Sequence, residues 1–334
     1  MDIAMIVEVV VKSLILVIFL TGAFAYTTVY ERRLLARIQV RMGPNRTGPA
    51  GLLQPIADAV KLIFKEEFTP AGAIKSLFFL APIITVMPAL LIPGVIPWGR
   101  DLELFGRTIH LYIADVNVAM LYILSITSIS VYGITLAGWS SNNKYATMGG
   151  LRSAAQMISY ELAMGFSIMG PVMLAGSLSL VDIVESQTKI WYVFLQPVAC
   201  IVFYVSALAE VNRSPFDMPE AEQELTAGYH TEYSGMKFAV FYMAEYIKMF
   251  VVSMIAASLF FGGYLGPFVD EVPWLGPIYL LIKVVISLGI MIWIRATLPR
   301  FRYDRLMALG WKVLFPVALA STLITAFVIL LVGG

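Results

Sequence analysis

Carboxylates are concentrated in one short part of this 334-residue chain. Residues 208–233 read LAEVNRSPFDMPEAEQELTAGYHTEY, and the 22 acidic residues of the chain include six here, Glu210, Asp217, Glu220, Glu222, Glu224 and Glu232. Carboxyl groups that are withdrawn from water and lie close together share protons, because desolvation and mutual repulsion both oppose ionisation. The spacing therefore leaves two possibilities, a solvated acidic loop and a proton-conducting one.

Three glutamates also lie within or at the end of apolar runs. Glu161 is in AQMISYELAMGF, Glu210 ends the next run, and Glu245 lies in the run after that. Charges in membrane spans are costly and usually face the interior of the protein. We expect all three to face inward, either as structural ion pairs and hydrogen bonds or as members of a proton path. Lys248 follows Glu245 at i+3, a spacing that predicts an ion pair.

A second polar group lies at the end of the first apolar run, in YERRLLARIQVR. Basic residues at that place are expected from membrane orientation, but the acid Glu31 contributes nothing to orientation. Together with Asp58 and Arg295, Glu31 is predicted to form a paired polar lining beneath an amphipathic helix.

The elements that must position these residues are membrane spans. The chain is 59% hydrophobic and 13% charged, with a mean hydropathy of +0.82, so a soluble domain could not cover its surface. We predict an all-α polytopic membrane protein with one membrane domain over residues 1–334 and about eight transmembrane helices. A span needs about 20 mostly apolar residues. The predicted spans are 6–30, 77–97, 114–138, 154–176, 190–210, 237–261, 277–297 and 311–332.

The distribution of Lys and Arg predicts the orientation of these spans. Most of the 23 basic residues follow the first span or lie in loops on the same side, whereas the opposite loops hold Arg100, Arg107 and Lys189. The basic side is therefore predicted to be cytoplasmic, with both termini on the outer side. Lys283 begins the seventh span, where snorkelling towards the interface would accommodate its charge.

Two cytoplasmic segments connect the spans. Residues 51–68, GLLQPIADAVKLIFKEEF, place Leu52, Ile56, Val60 and Ile63 on one helical face. This segment is too short and too charged to span, so we predict an amphipathic helix over about 52–65 in the interface plane. The acidic loop is predicted over 211–236. The first run lacks the basic region and the cleavage site of a signal peptide and is predicted to be a retained span.

Other kinds of site are not expected. Cys200 is the only cysteine, and His110 and His230 are far apart, so no metal or iron–sulfur site is predicted on this chain. The sequence has no glycine-rich strand-to-helix fingerprint for NADH. A net charge of +1 gives no indication of a nucleic-acid partner.

Four long segments resemble one family of membrane proteins. They are YERRLLARIQVRMGPNRTGPAGLLQPIADAVKLIFKE, WSSNNKYATMGGLRSAAQMISYE, LAEVNRSPFDMPEAEQELTAGYHTEYSG and RATLPRFRYDRLMALGWK. These look like the signature segments of the H-type, quinone-tunnel membrane subunits of respiratory complex I, the proton-pumping NADH:quinone oxidoreductase. They occur in the order of that family, and the resemblance covers residues 26–316.

The resemblance implies a place in a larger assembly. Members of the family form the heel of the membrane arm, anchor the hydrophilic arm, and supply the entrance and much of the wall of a quinone tunnel. The implied partners are peripheral quinone-site subunits on the cytoplasmic face, small membrane subunits at the side, membrane lipid and quinone. Quinone would be a substrate, and FMN and the iron–sulfur clusters would belong to partner subunits. The implied location is a bacterial cytoplasmic membrane.

The resemblance also implies roles for individual residues. The tunnel-side residues would be Glu31, Arg32, Asp58, Arg213 and Arg295. The carboxyl chain from the tunnel to the proton-pumping subunits would be Glu161, Glu210, Glu220, Glu222, Glu224, Glu232 and Glu245.

Two alternatives use similar sequence features. A related protein occurs in membrane-bound energy-converting hydrogenases, but the full GPNRTGPAGLLQP loop and the complete acidic loop favour complex I. A stand-alone ion or solute carrier would be expected to show an internal repeat and broken helices near the membrane midplane, and no convincing repeat is found.

Overall fold

A computed structural model describes residues 3–104, 107–218 and 225–333, and it confirms the predicted all-α polytopic class. The longer helices are α1 (Ile3–Ile38), α2 (Gln54–Ile63), α3 (Lys75–Leu91), α4 (Ala119–Ser140), α5 (Lys144–Ala175), α8 (Pro197–Glu210), α9 (Gly235–Phe260), α10 (Leu275–Thr297) and α12 (Phe315–Gly333). Short helices are α6 (Leu180–Glu185), α7 (Tyr192–Leu195) and α11 (Tyr303–Leu309), with single 3-10 turns at Pro49–Gly51, Ile92–Val95, Ser186–Thr188 and Gly228–His230. A π-helical turn, Gly310–Leu314, joins α11 to α12.

Within the described ranges, seven helical segments are long and apolar enough to cross a membrane. The predicted fifth span, 190–210, differs from this pattern because it is divided into α7 and α8. The chain bends at Gln196, with φ −135° and ψ 59°, directly before Pro197, which has no N–H to donate. The Gln196 side chain lies against Gly170 of α5, where a Cβ atom would come within 1.9 Å of its Oε1 atom. The prediction of one continuous helix for this span was therefore wrong.

Several helices extend beyond the predicted spans. The first has 36 residues and is about 54 Å long, whereas the hydrocarbon core is about 30 Å thick. Its cytoplasmic end, with Glu31, therefore projects beyond the hydrocarbon core. The fourth span begins at Lys144, where Asn143 accepts a hydrogen bond from the N–H of Tyr145 and caps the helix. Polar helix ends of this kind are not detected by a search for apolar runs.

The spans differ in how much of their surface other helices cover. Among the described spans, α9 is the most buried, and from Tyr246 to Phe260 its side chains are all buried. The first helix and α12 are covered least. Glu245 and Lys248 are therefore carried by the central helix of the bundle, and the outer helices present apolar side chains to their surroundings.

The interfacial helix α2 is shorter than the predicted 52–65 because a 3-10 turn and a bend precede it. Its apolar side chains Ile56, Val60 and Ile63 are exposed, and so is Leu52 just before it. Asp58 points the other way, towards α1. The opposite end of the bundle has a small antiparallel hairpin of β1 (Leu102–Leu104) and β2 (Arg107–Ile109), in which Leu102 pairs with Ile109.

Lys283 does not need to reach the interface, as expected from the sequence, because its ammonium group has partners within the fold. It donates to the backbone carbonyls of Phe261, Gly263 and Leu265 at 2.7–2.8 Å. These carbonyls follow the end of α9, where helix and loop oxygens lack intrahelical donors. The lysine of α10 therefore holds the end of the central helix.

We expect Lys283→Met to destabilise the protein, because three carbonyls lose a charged donor at a cost of about 1–3 kcal/mol. The measurement is the thermal unfolding midpoint of the purified, detergent-solubilised protein. Lys189→Met is the matched control, since Lys189 is exposed at the same end of the bundle. Equal midpoints for the two variants would contradict the capping role.

Candidate functional site

The site is organised around Arg213, which is buried in the loop that follows α8. Its Nε atom lies 2.7 Å from the Glu245 carboxylate of α9, and its Nη2 atom lies 3.9 Å from Glu31 of α1. Burial alone would lower the pKa of Arg213, but Glu245, Tyr246 and Glu31 together raise it well above the ordinary value. The guanidinium therefore stays charged between two carboxylates.

Glu31 has a second cationic partner, because Arg295 of α10 donates to its other carboxylate oxygen. The Arg213 guanidinium also lies over the Tyr246 ring, 4.2 Å from the ring centroid, and the Tyr246 hydroxyl is within 2.9 Å of the Tyr242 hydroxyl. Two arginines thus neutralise two carboxylates in a network contributed by α1, α9, α10 and the loop. We call Glu31, Arg213, Glu245 and Arg295 the arginine cluster.

A neighbouring chain of polar side chains joins α1 to the interfacial helix. Arg32 contacts Asp58 at 2.8 Å, and the Gln54 amide donates to the same carboxylate at 3.0 Å. The Thr47 hydroxyl donates to Gln54 at 2.8 Å. Arg32 is also within electrostatic reach of Tyr242. These contacts bring four of the predicted tunnel-side residues, Glu31, Arg32, Asp58 and Arg295, to the junction of α1, α2 and α10.

A second buried group lies around Lys248 of α9. Its Nζ atom is 3.4 Å from the Glu210 carboxylate and 2.8 Å from the Ser130 hydroxyl of α4. The predicted Glu245–Lys248 pair is replaced by contacts to other elements, in which Lys248 meets Glu210 and Glu245 meets Arg213. Spacing along one helix could not reveal these partners, because they come from the end of α8 and the loop after it.

Glu161 of α5 is half-buried and accepts a hydrogen bond from Ser128 of α4. It is within electrostatic reach of both Glu210 and Lys248. Two carboxyl groups and one ammonium carry a net negative charge, which one bound proton would neutralise. Glu161, Glu210 and Lys248 form what we call the lysine cluster.

A small cavity connects the two clusters. It has a volume of about 20 Å³ and is lined by Glu245 and Lys248 together with Thr85, Ser130, Asn212 and Tyr229 among others. A water molecule needs about 10–15 Å³ and two to four polar partners. The cavity therefore has the size and the lining to hold one water between a residue of each cluster.

The ends of the acidic loop are fixed to the bundle. The amide of Gln156 on α5 donates to the carbonyls of Ala209 and Phe216, both at 2.7 Å. At the other end, Gly149 touches Gly228, where a Cβ atom on Gly149 would lie 2.8 Å from the Gly228 Cα. The absence of a side chain there allows the returning loop to approach the helix closely.

The remaining loop acids are distributed differently. Glu232 is half-buried, accepts a 2.6 Å hydrogen bond from Asn143, and lines an open surface groove of about 360 Å³. Glu220, Glu222 and Glu224 lie outside the described residues. The structure thus brings Glu161, Glu210 and Glu245 together and places Glu232 at the surface.

Comparison with known proteins identifies the family. A family model described as NADH dehydrogenase matches residues 11–326. An H subunit of NADH-quinone oxidoreductase from Syntrophobacter fumaroxidans, the second of that name, is 51% identical, covering 96% of this chain and 95% of the relative. The first such protein of Geobacter metallireducens is 52% identical with coverages of 96% and 95%, and that of Thermomicrobium roseum is 52% identical with 92% of each. The chain belongs to the H-subunit family of NADH-quinone oxidoreductase.

The family membership confirms the resemblance that the four sequence segments predicted. Relatives of this length match the chain almost from end to end, so the arginine and lysine clusters both lie within the matched region. In the described parts of the chain, no group of three or more His, Cys, Asp or Glu residues could hold a metal ion.

Several residues of the site were not predicted from the sequence. Tyr246, Ser128 and Ser130 are ordinary residues of apolar helices, and only their contacts distinguish them. Glu67 follows the interfacial helix and accepts a hydrogen bond from the N–H of Met236 at 2.9 Å, at the first turn of α9. Its other oxygen lies 3.6 Å from Lys237. A carboxylate at this place stabilises the positive end of the central helix.

We expect Glu67→Ala to destabilise the start of α9 by about 1 kcal/mol, the usual cost of losing a helix cap. Hydrogen exchange of the amides in the first turn of α9 should become faster. Glu66→Ala is the matched control, because the contact of Glu66 with Ser234 uses its backbone carbonyl. Unchanged exchange in Glu67→Ala would show that the carboxylate does not cap the helix.

Proposed function

We propose that this chain is the membrane subunit of a proton-translocating NADH:quinone oxidoreductase through which quinone reaches its site of reduction. Its relatives are named as H subunits of NADH-quinone oxidoreductase and match it over nearly their whole length. In this function the chain has no redox centre, and FMN and the iron–sulfur clusters belong to partner subunits. Peripheral subunits would bind its basic face, small membrane subunits would lie at its side, and its termini would face outward from a bacterial cytoplasmic membrane.

The observation that carries the proposal is the junction of the arginine cluster with the interfacial helix. Asp58 links α2 to Arg32 of α1, and Glu31 beside it pairs with Arg295. On the same helix α2, Ile56, Val60 and Ile63 are exposed and form an apolar face. An isoprenoid tail needs an apolar path, and a quinone headgroup needs a few polar groups at its end. This junction supplies both kinds of surface side by side.

The coupling to protons rests on the carboxyl groups behind this junction. Arg213 contacts Glu31 on the quinone side and Glu245 on the side of the small cavity. A water in that cavity would connect Glu245 with Lys248, and Lys248 contacts Glu210. We propose that protons are shared along Glu245, Glu210 and Glu161, with Glu232 in the surface groove and Glu220, Glu222 and Glu224 in the loop between them.

The proton proposal predicts a specific defect in Glu210→Gln and Glu245→Gln. Each change keeps the shape of the side chain and removes a titratable proton. The complex should assemble with its usual subunits but lose quinone reduction and proton pumping together, since a blocked relay stalls the redox step. The measurements are subunit composition, NADH-dependent quinone reduction, and proton uptake or release in sealed vesicles.

Two controls distinguish a relay from a structural role. Glu185→Gln changes an exposed acid at the opposite end of the bundle and should have no effect. Arg213→Lys keeps a charge but loses the planar fork that holds two carboxylates, so it should weaken assembly or stability first. A fully assembled Glu210→Gln, Glu245→Gln double variant with normal turnover and pumping would show that these acids are spectators.

The quinone proposal predicts that added bulk on the apolar face of α2 affects long substrates most. Ile56→Trp should raise the KM for quinones with long isoprenoid tails about tenfold, because a misfit of about 1.4 kcal/mol opposes binding of the tail. Short-tail quinones should be used nearly as well as by the unchanged protein. Lys61→Trp adds bulk at an exposed polar position of the same helix and serves as the control. Equal effects on long-tail and short-tail quinones would rule out a path along this face.

A further inference from the structure

A groove at the end of the bundle opposite the basic loops has no part in the function proposed above. It has a volume of about 420 Å³ and an almost wholly apolar lining. Leu16 and Phe19 of α1, Trp98 and Tyr112 of the connecting segment, and Leu281 of α10 form its walls. Its volume is within the range of about 300–1,000 Å³ that small-molecule sites occupy.

The groove is continuous with surfaces that face the membrane. On α1, Ile15 lines it, and Leu14 and Ile18 beside it are 58% and 72% exposed. On α10, Ile278 and Ile282 are similarly exposed. From Lys12 to Phe19 the groove follows α1 for about 10 Å, most of the depth of one hydrocarbon leaflet, which is about 15 Å. It is therefore open to the acyl chains of that leaflet.

The rim of the groove carries paired charges of both signs. Lys12 lines the groove and lies 2.5 Å from Glu8, and His110 lies 2.7 Å from Asp101. With a neutral histidine these groups carry one positive and two negative charges. A phosphate could contact Lys12, and an ammonium group could contact Glu8 and Asp101. An anionic headgroup without an ammonium would meet two carboxylates with nothing to offset them.

The order of the groups along the groove follows the order of groups in a phospholipid. Charges lie at the rim, and below them Trp98 and Tyr112 supply the amphipathic rings that favour the membrane interface. Leu16, Phe19 and Leu281 continue as a hydrocarbon lining. We propose that this groove binds one zwitterionic phospholipid with a primary ammonium group, such as phosphatidylethanolamine, from the leaflet opposite the basic loops.

The test uses the whole complex, purified in mild detergent from membranes that contain both phosphatidylethanolamine and phosphatidylglycerol. Retained lipids are extracted and quantified by mass spectrometry. Leu16→Trp fills the groove and should abolish the retention of one phosphatidylethanolamine per complex. Ile18→Trp is the matched control, because it adds the same bulk on the exposed face of the same helix and should retain the lipid.

Two further measurements keep the proposal falsifiable if Leu16→Trp fails to assemble. Lys12→Gln removes a charged donor to the phosphate and should lower lipid affinity about tenfold, the equivalent of about 1.4 kcal/mol. A photo-crosslinking residue at position 15 should capture phosphatidylethanolamine, and one at position 18 should show no such preference. Capture of another protein of the complex at position 15, preferential retention of phosphatidylglycerol, or unchanged lipid content in Leu16→Trp would each overturn the proposal.

Discussion

A buried guanidinium between two carboxylates is the contact on which the rest of the site depends. Arg213 belongs to no helix, yet it is buried and lies within ion-pair distance of Glu245 on the central helix and Glu31 on the first. Removing one partner of such a group costs about 3–5 kcal/mol, because an uncompensated charge remains in a medium that solvates it poorly. The positions of α1, α9 and the start of the acidic loop are therefore interdependent.

Other contacts in the fold fix this arrangement from outside the cluster. Gln156 holds the loop on both sides of Arg213 through the carbonyls of Ala209 and Phe216. Glu67 and Lys283 hold the two ends of α9, one with a carboxylate at its first turn and the other with an ammonium beyond its last. The polar groups of this protein are thus concentrated where helices end and loops return, because elsewhere the side chains face hydrocarbon or one another.

The sequence predicted much of the fold and the identity of many site residues, but not their pairing. Apolar runs of span length and the bias of Lys and Arg depend only on composition, so they can be read without knowing the packing. The break at Gln196 could not be predicted in this way, since it depends on Gly170 of another helix leaving space for the side chain. Lys248 was assigned to Glu245 by helical spacing, whereas its observed partner Glu210 comes from a different helix.

In the proposed function, the position of Arg213 links the quinone side of the protein to its proton side. The guanidinium contacts Glu31 beside the interfacial helix and Glu245 at the small cavity, so a shift of the loop towards one carboxylate weakens its contact with the other. A carboxylate that loses its cation in a buried site favours the protonated form. Movement of the loop and binding of a proton at Glu245 are therefore coupled, and neither carboxylate needs to touch the quinone for its reduction to change the charge at the cavity.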